Sequence, residues 1–134
     1  RKAEDPRRVL RAGAADVAIV KVPPLGGMRA VLRLADELAE FGVPLVVSSA
    51  LDTAVGMSAG LAAAAALQDG SLACGLATGR LFDEDVAPGR EVVNGRLDVT
   101  ASVPDPARLQ RLAASAERRD WWHARARRAY ALVG

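Results

Sequence analysis

The chain has 134 residues, 51% of them hydrophobic and 25% charged, with a formal net charge of +2. This composition suits one globular domain with its own core and speaks against disorder, and so small a net charge does not by itself point to a polyanionic partner. A single cysteine, Cys74, rules out an internal disulfide, and a single histidine, His123, cannot complete a zinc site with it.

The longest apolar stretch, 54–67, is interrupted by Ser58 and is shorter than the roughly 20 residues that cross a bilayer, so no membrane span is expected. Arg1 and Lys2 are not followed by the apolar segment of a secretory signal, which leaves the cytoplasm as the default location. Cys74 has no histidine near it in sequence and reads as a small buried residue rather than a catalytic thiol.

In chain order, Asp5-Pro6 offers an N-cap with proline at the first helical position, and a short helix carrying Val9 and Leu10 should run to Gly13. The run Val17 to Val22 follows, apolar on both alternating faces except at Lys21, the pattern of a parallel strand covered by helices on each side. Pro23 and Pro24 end its hydrogen-bonded ladder, and Gly26-Gly27 lets the chain turn into the next helix. Lys21 thus sits at a strand's carboxyl end. An ammonium there either snorkels to water or faces a polar cleft that uses its charge. Arginine is the chain's ordinary cation, and Lys2 and Lys21 are its lysines, so a lysine inside a strand needs its own reason.

Met28, Val31, Leu32, Leu34, Ala35, Leu38 and Phe41 recur at helical spacing up to Gly42, with Arg29, Arg33, Asp36, Glu37 and Glu40 opposite. Leu45 to Val47 is a second strand ending in Ser48-Ser49. Asp52-Thr53 offers the N-cap of a helix through Leu67, on which Gly56 and Gly60 permit close packing. Asp69-Gly70 is a turn and 71–77 a third strand, closed by Thr78-Gly79. Lys21 to Ser48 and Ser48 to Gly75 are both 27 positions, which places equivalent points on successive β/α units.

Beyond residue 86 the rhythm changes. Asn94-Gly95 within 91–99 signals a tight hairpin, and Asp105-Pro106 opens a helix with Leu109 and Leu112 on its apolar side. A last helix begins near Arg118, with Trp121, Trp122 and Tyr130 set among arginines. Stacking on single-stranded nucleic acid is one use of such a pattern. The reading adopted is an amphipathic helix whose aromatics dock on a neighbouring domain while its arginines stay solvated, with no nucleic-acid partner.

Successive strand–helix units build either an open doubly wound sheet or a (β/α)8 barrel, and both bind ligands at the carboxyl ends of the strands. Pro23 to Gly27 matches neither a Walker loop nor the dinucleotide fingerprint, which favours the barrel. A complete barrel takes about 250 residues, so the expected class is α/β, the carboxyl-terminal portion of a barrel. Residues 1–86 form the last strand–helix units. Residues 87–134 form an appended hairpin and terminal helices that pack on the barrel or on an amino-terminal capping domain.

The segments 15–27, 46–56 and 73–78, with Leu81 and Asp85-Val86 following, resemble the o-succinylbenzoate synthase family of the enolase superfamily, and the Ser48-Ser49-Ala50-Leu51-Asp52-Thr53 string carries the resemblance within that superfamily. It implies an enolase-type barrel and a magnesium-dependent dehydration of a small carboxylate substrate on the route to menaquinone. A lysine removes the proton next to the carboxylate, Mg2+ steadies the resulting enediolate, and hydroxide leaves. In that light Lys21 corresponds to the sixth-strand lysine that stabilises the anion. Ser48 corresponds to a seventh-strand serine at the substrate, and Gly75 to an eighth-strand glycine whose backbone N–H approaches a carboxylate. Ser49 is a weaker substrate-binding candidate because alternation turns it off Ser48's face.

The family's metal ligands and its base lysine lie on earlier strands and have no counterpart here, so the partner expected is the missing amino-terminal half of the enzyme. Asp52 is a tempting metal ligand, but its place before Thr53 favours N-capping. The alternatives are an N-succinylamino acid racemase or another superfamily enzyme, and a non-catalytic half-barrel that serves as a binding module. If the 134 residues are the entire polypeptide, they are expected neither to bind Mg2+ tightly nor to dehydrate substrate, and an unclosed barrel should be poorly soluble or self-associating. Turnover by the chain alone in the presence of Mg2+ would contradict this.

Overall fold

The computed structural model describes residues 5–67 and 72–132. The expected turn at Asp69-Gly70 and the start of the third strand at Ser71 lie outside them. Six helices and two strands are formed by the described residues: α1 (Asp5–Arg11), β1 (Ala18–Val20), α2 (Val22–Leu25), α3 (Met28–Ala39), β2 (Leu45–Val47), α4 (Ala54–Ala65), α5 (Pro106–Arg111) and α6 (Ala116–Tyr130), with a 3-10 turn at Thr78–Leu81.

β1 and β2 pair in parallel with Ala18 opposite Leu45, Ile19 opposite Val46 and Val20 opposite Val47. The ladder continues one step beyond the strands, where Ser48 N–H donates to Val20 O at 2.8 Å. The third strand shrinks to a single parallel bridge between Ser48 and Gly75. Two hydrogen bonds make that bridge, Gly75 N–H to Val47 O and Ser49 N–H to Gly75 O, both 2.9 Å. Its shortness has a local cause. Glycine contributes no side chain to a sheet, and Leu72, Ala73 and Cys74 before it are exposed. Cys74 is therefore an exposed thiol, not the small buried residue its apolar neighbours suggest.

The core lies between one face of this sheet and α3 with α4. Val20, Val31, Leu34, Leu38, Leu45, Val47, Met57, Leu61 and Leu76 form one buried cluster that Leu10 of α1 joins. Val31, Leu38 and Val47 are its largest fully buried side chains. The α3 stripe docks as its spacing predicts over its middle and frays at its ends, since Met28 and Phe41 are exposed. Gly42, at φ 66°, ends the helix, a left-handed conformation that costs glycine little. Gly60 on α4 serves the close packing expected of it: a Cβ there would stand 2.9 Å from Leu76 Cδ2.

Two expectations about β1 change. Among the described residues its second face has no cover, since Ile19 is 70% exposed while Val20 beside it is buried. An apolar side chain on each face shows that both faces suit burial, but not that a covering element is present. The two prolines, moreover, do not follow the strand as open turn. They lie inside the single helical turn α2, where proline near an amino terminus forfeits no intrahelical hydrogen bond. Lys21, extended at φ −119° and ψ 136°, is the N-cap position of that turn, so its backbone is held between a strand and a helix.

Contacts run across residue 86 into the following segment. Asp85 Oδ2 accepts the N–H of Ala54 at 2.8 Å at the start of α4. Arg90 donates to Ala54 O at 3.0 Å, to Ser58 Oγ at 2.9 Å and to Thr100 O, and Ser102 N–H donates to Ser58 Oγ at 3.0 Å. The hairpin expected over 91–99 is a minimal one, a Val93–Arg96 antiparallel bridge closed by Asn94 and Gly95 at φ 50° and 75°, the pair of positive angles a two-residue turn demands.

α6 docks its aromatics on no other element among the described residues. None of its residues is buried, and Trp121 and Trp122 pack edge to face with ring centroids 4.8 Å apart. The guanidinium of Arg118 lies 5.1 Å and that of Arg125 5.8 Å from the centre of the Trp121 ring. The aromatics find their partners among arginines of the same helix, one turn or so away, as cation–π pairs.

α1 is clamped to α3 by Arg7, whose Nε and Nη2 donate to the two carboxylate oxygens of Glu37 at 2.5 and 2.6 Å. That hydrogen bond holds the Glu37 carboxyl below the usual glutamate range, against the opposing effect of desolvation. A lowered carboxyl pKa stabilises the fold above the unfolded-state pKa, and the contribution is lost as pH falls through the folded value. Glu37→Gln is therefore expected to weaken the chain at neutral pH and to flatten the decline of its thermal midpoint between about pH 5 and pH 3, followed by melts at stepped pH. An unchanged acid slope would show that the clamp contributes nothing.

Candidate functional site

The parallel register delivers three chain positions to one edge of the sheet. Lys21 follows β1 directly and Ser48 follows β2 directly, so both leave the sheet at its carboxyl end, and the Ser48–Gly75 bridge sets Gly75 beside them. The 27-residue interval read from the sequence is the register itself: every pair of the β1–β2 ladder and the Ser48–Gly75 bridge has it.

Lys21 does not snorkel into open water. Its ammonium donates to Ser48 Oγ at 3.3 Å and to the backbone carbonyl of Ser49. Among the described residues it forms no ion pair. Lys21 borders a groove of about 690 Å³ whose walls include Ile19, Leu25, Leu10, Ser49 and Leu51. Ser48, which accepts from the ammonium, and Gly75, bridged to Ser48, do not line this groove. A cation with two neutral oxygen partners and a groove beside it keeps hydrogen-bonding capacity and charge for an anion.

Gly75 departs from its expected role. Its N–H already donates to Val47 O at 2.9 Å, so it is not free for a carboxylate. What the glycine supplies is room, because a Cβ at this position would sit 3.2 Å from Ser48 Oγ. Ser49 behaves as alternation predicts for its side chain and differently for its backbone. The hydroxyl is buried, donates to Gly75 O at 3.1 Å, and meets Thr78 Oγ1 at 2.7 Å. The carbonyl is the atom that reaches Lys21. Thr78 was readable in the sequence only as a strand terminator, since nothing in its neighbours marks the hydroxyl it faces across the bridge.

Asp52 is not the N-cap. Thr53 takes that position on α4, its hydroxyl accepting from Gly56 N–H at 3.4 Å. Asp52 Oδ2 instead accepts the N–H of Ala50 at 2.9 Å, bracing a tight loop in which Leu51 stands at φ 64°. A left-handed leucine costs about 1 kcal/mol and survives only where its surroundings hold it. No three of His, Cys, Asp and Glu come together among the described residues as a group that could hold a metal ion, so Asp52 belongs to no such group there.

A second cavity, of about 420 Å³, lies beyond the first turn of α4, bounded by Leu76, Phe82, Asp83 and Arg90 among others. Two of its lining residues, Glu84 and Arg108, are held by neighbours outside it. Arg111 Nε donates to Glu84 Oε1 at 3.0 Å, and that bond lowers the Glu84 carboxyl below its usual range. Asp105 is lowered chiefly by the backbone N–H of Arg108, which its carboxylate caps at 3.0 Å. These groups are tied to one another, in contrast to Lys21.

The chain is 56% identical, over 99% of its length, to the o-succinylbenzoate synthases of Mycobacterium bovis and Mycolicibacterium smegmatis, and it spans 40% of the length of each. Among solved structures it is similar to the muconate lactonizing enzyme of Pseudomonas putida, with a TM-score of 0.77 at 25% identity, over 84% of this chain and 33% of that one. No described helix is long and apolar enough to cross a membrane. The sequence matches the family described as enolase C-terminal domain-like over residues 1–105, and with the superposition on an enolase-type barrel this shows that the chain belongs to that family, as the carboxyl-terminal part of such a barrel.

Proposed function

We propose that this chain forms the anion-stabilising wall of an enzyme that dehydrates a small carboxylate to o-succinylbenzoate, a carbon–oxygen lyase reaction in menaquinone biosynthesis. The observation that supports it is the Lys21 ammonium, held at the carboxyl end of the sheet by Ser48 Oγ and the Ser49 carbonyl beside a groove. Its setting within a stretch 56% identical to such synthases directs the reading to that substrate.

Loss of a proton next to a carboxylate makes an enediolate, whose negative charge is greater at the carboxylate oxygens than in the substrate. A fixed ammonium therefore interacts more strongly with the intermediate than with the ground state, and that difference lowers the barrier. Hydroxide then leaves from the neighbouring carbon as the electron pair returns. Ser48 orients the ammonium, and its hydroxyl is proposed to reach a substrate oxygen from the groove's margin, which it does not itself line. Gly75 keeps the space at the Ser48 hydroxyl open. Ser49 contributes through its carbonyl rather than its side chain.

The proton-abstracting base is assigned to another part of the complete enzyme, the amino-terminal portion expected as this chain's partner. Mg2+ belongs to the reading through the family, where it would supply positive charge to the enediolate. The described residues contain no cluster fitted to hold it, so its ligands are assigned to that same portion and no step is derived through the ion.

In the complete enzyme Lys21→Met is expected to lower kcat by about 10²- to 10³-fold, the scale of removing one donor to a developing anion, with KM moving less. Steady-state assay of o-succinylbenzoate formation checks it, and turnover like that of the unsubstituted enzyme would overturn the assignment of Lys21. Gly75→Ala crowds the Ser48 hydroxyl at 3.2 Å. It should cost about 1 kcal/mol of stability and about tenfold in kcat/KM, measured by thermal melts and the same assay. A loss of stability without loss of activity would show that the space beside Ser48 is not used.

A further inference from the structure

We infer that Asp52 is a positioning residue for the Lys21 ammonium, acting through the single peptide unit between Ser49 and Ala50. The carbonyl and the N–H of that unit belong to one rigid plane. The carbonyl oxygen of Ser49 accepts from Lys21 Nζ, and the N–H of Ala50 donates to Asp52 Oδ2 at 2.9 Å. A cation thus lies at the negative end of the peptide dipole and a carboxylate at its positive end. Each polarises the group in the sense that strengthens the hydrogen bond at the other end.

Three further contacts fix the plane. Ser49 N–H donates to Gly75 O at 2.9 Å, and the buried Ser49 hydroxyl meets Gly75 O and Thr78 Oγ1 at 3.1 and 2.7 Å. These hold the residue on the amino side of the peptide, and Asp52 holds the other side, where Leu51 at φ 64° would otherwise be free to relax. No carboxylate pairs with Lys21 directly among the described residues. A direct ion pair would neutralise the charge intended for a substrate anion. A counter-charge one peptide removed orients the ammonium and leaves its charge without a paired carboxylate at the groove that Lys21 lines. This gives Asp52 a role that neither helix capping nor metal binding supplies.

The inference rests on Lys21 being the cation of the proposed site, but its first test does not depend on turnover. Lys2 and Lys21 are the chain's lysines, so the 15Nζ ammonium signal of Lys21 in the full chain can be assigned with a Lys2→Arg variant. Exchange of the Lys21 ammonium protons with water is expected to speed up about tenfold in Asp52→Ala, the order that follows from losing a hydrogen bond of ordinary strength. It should speed up about threefold in Asp52→Asn, which keeps an acceptor for Ala50 N–H and loses the charge. Circular dichroism reports whether Asp52→Ala remains folded, and if it does not, Asp52→Asn decides alone. Exchange unaltered in the folded variants overturns the inference.

In the complete enzyme Asp52→Ala should lower kcat about tenfold with KM within about twofold, and Asp52→Asn should recover part of it. Exchange that responds to Asp52 while Lys21→Met leaves turnover intact would uphold the positioning and sink the functional reading. Exchange that does not respond, with Lys21→Met inactive, would do the reverse.

Discussion

The parallel pairing of β1 with β2 at a constant offset is the constraint on which the rest depends. Because every pair in the ladder is separated by the same 27 positions, and the Ser48–Gly75 bridge repeats that interval, residues far apart in the chain reach the same height at the same end of the sheet. Parallel strands share that end, and a parallel connection needs a crossover element, here supplied by α2 and α3. A slip of one residue in either pairing would turn Lys21 or Ser48 to the opposite face. Val20, Val47 and Leu45 oppose such a slip, since it would expose the side chains that seat the sheet on α3 and α4.

On this scaffold the chain separates its charges into two kinds. Five arginines are paired or stacked: Arg7 with Glu37, Arg111 with Glu84, Arg90 against Ser58 and two carbonyls, Arg118 and Arg125 over the tryptophans. Lys21 has only neutral oxygens as its described partners. The contrast follows from the chemistry of the two side chains. A planar guanidinium forks onto carboxylates and lies on rings, whereas an ammonium is a compact point charge that two oxygens can aim while part of its hydrogen-bonding capacity stays available.

The carboxyl-terminal segment contributes to the site from outside it. Asp85 takes the first N–H of α4, and Arg90 with Ser58 fastens the 87–102 stretch along the same helix. α4 begins directly after the loop that carries Ser49, Ala50, Leu51 and Asp52. Fixing its first turn therefore limits where that loop can go, and with it the carbonyl that Lys21 uses. This links packing remote from the sheet's edge to the geometry of the ammonium.

The sequence by itself determined the first two strands, the main helices, the interval between their ends and the lysine that breaks an apolar run. These follow from local rules: side-chain alternation, helical periodicity and the turn preferences of proline and glycine. It also carried the family, because the 48–53 string and its spacing from Lys21 are one-dimensional features. Only the tertiary structure decided what each polar group does. Gly75 N–H is spent on Val47, Ser49 acts through its carbonyl, and Asp52 braces the loop while Thr53 caps the helix. Likewise, the exposure of Ile19 and Cys74 and the self-partnered tryptophans depend on which neighbours are within reach. A hydrogen-bonding group can satisfy itself with several partners that its residue type allows, and the choice among them is made by distances set when the chain closes on itself.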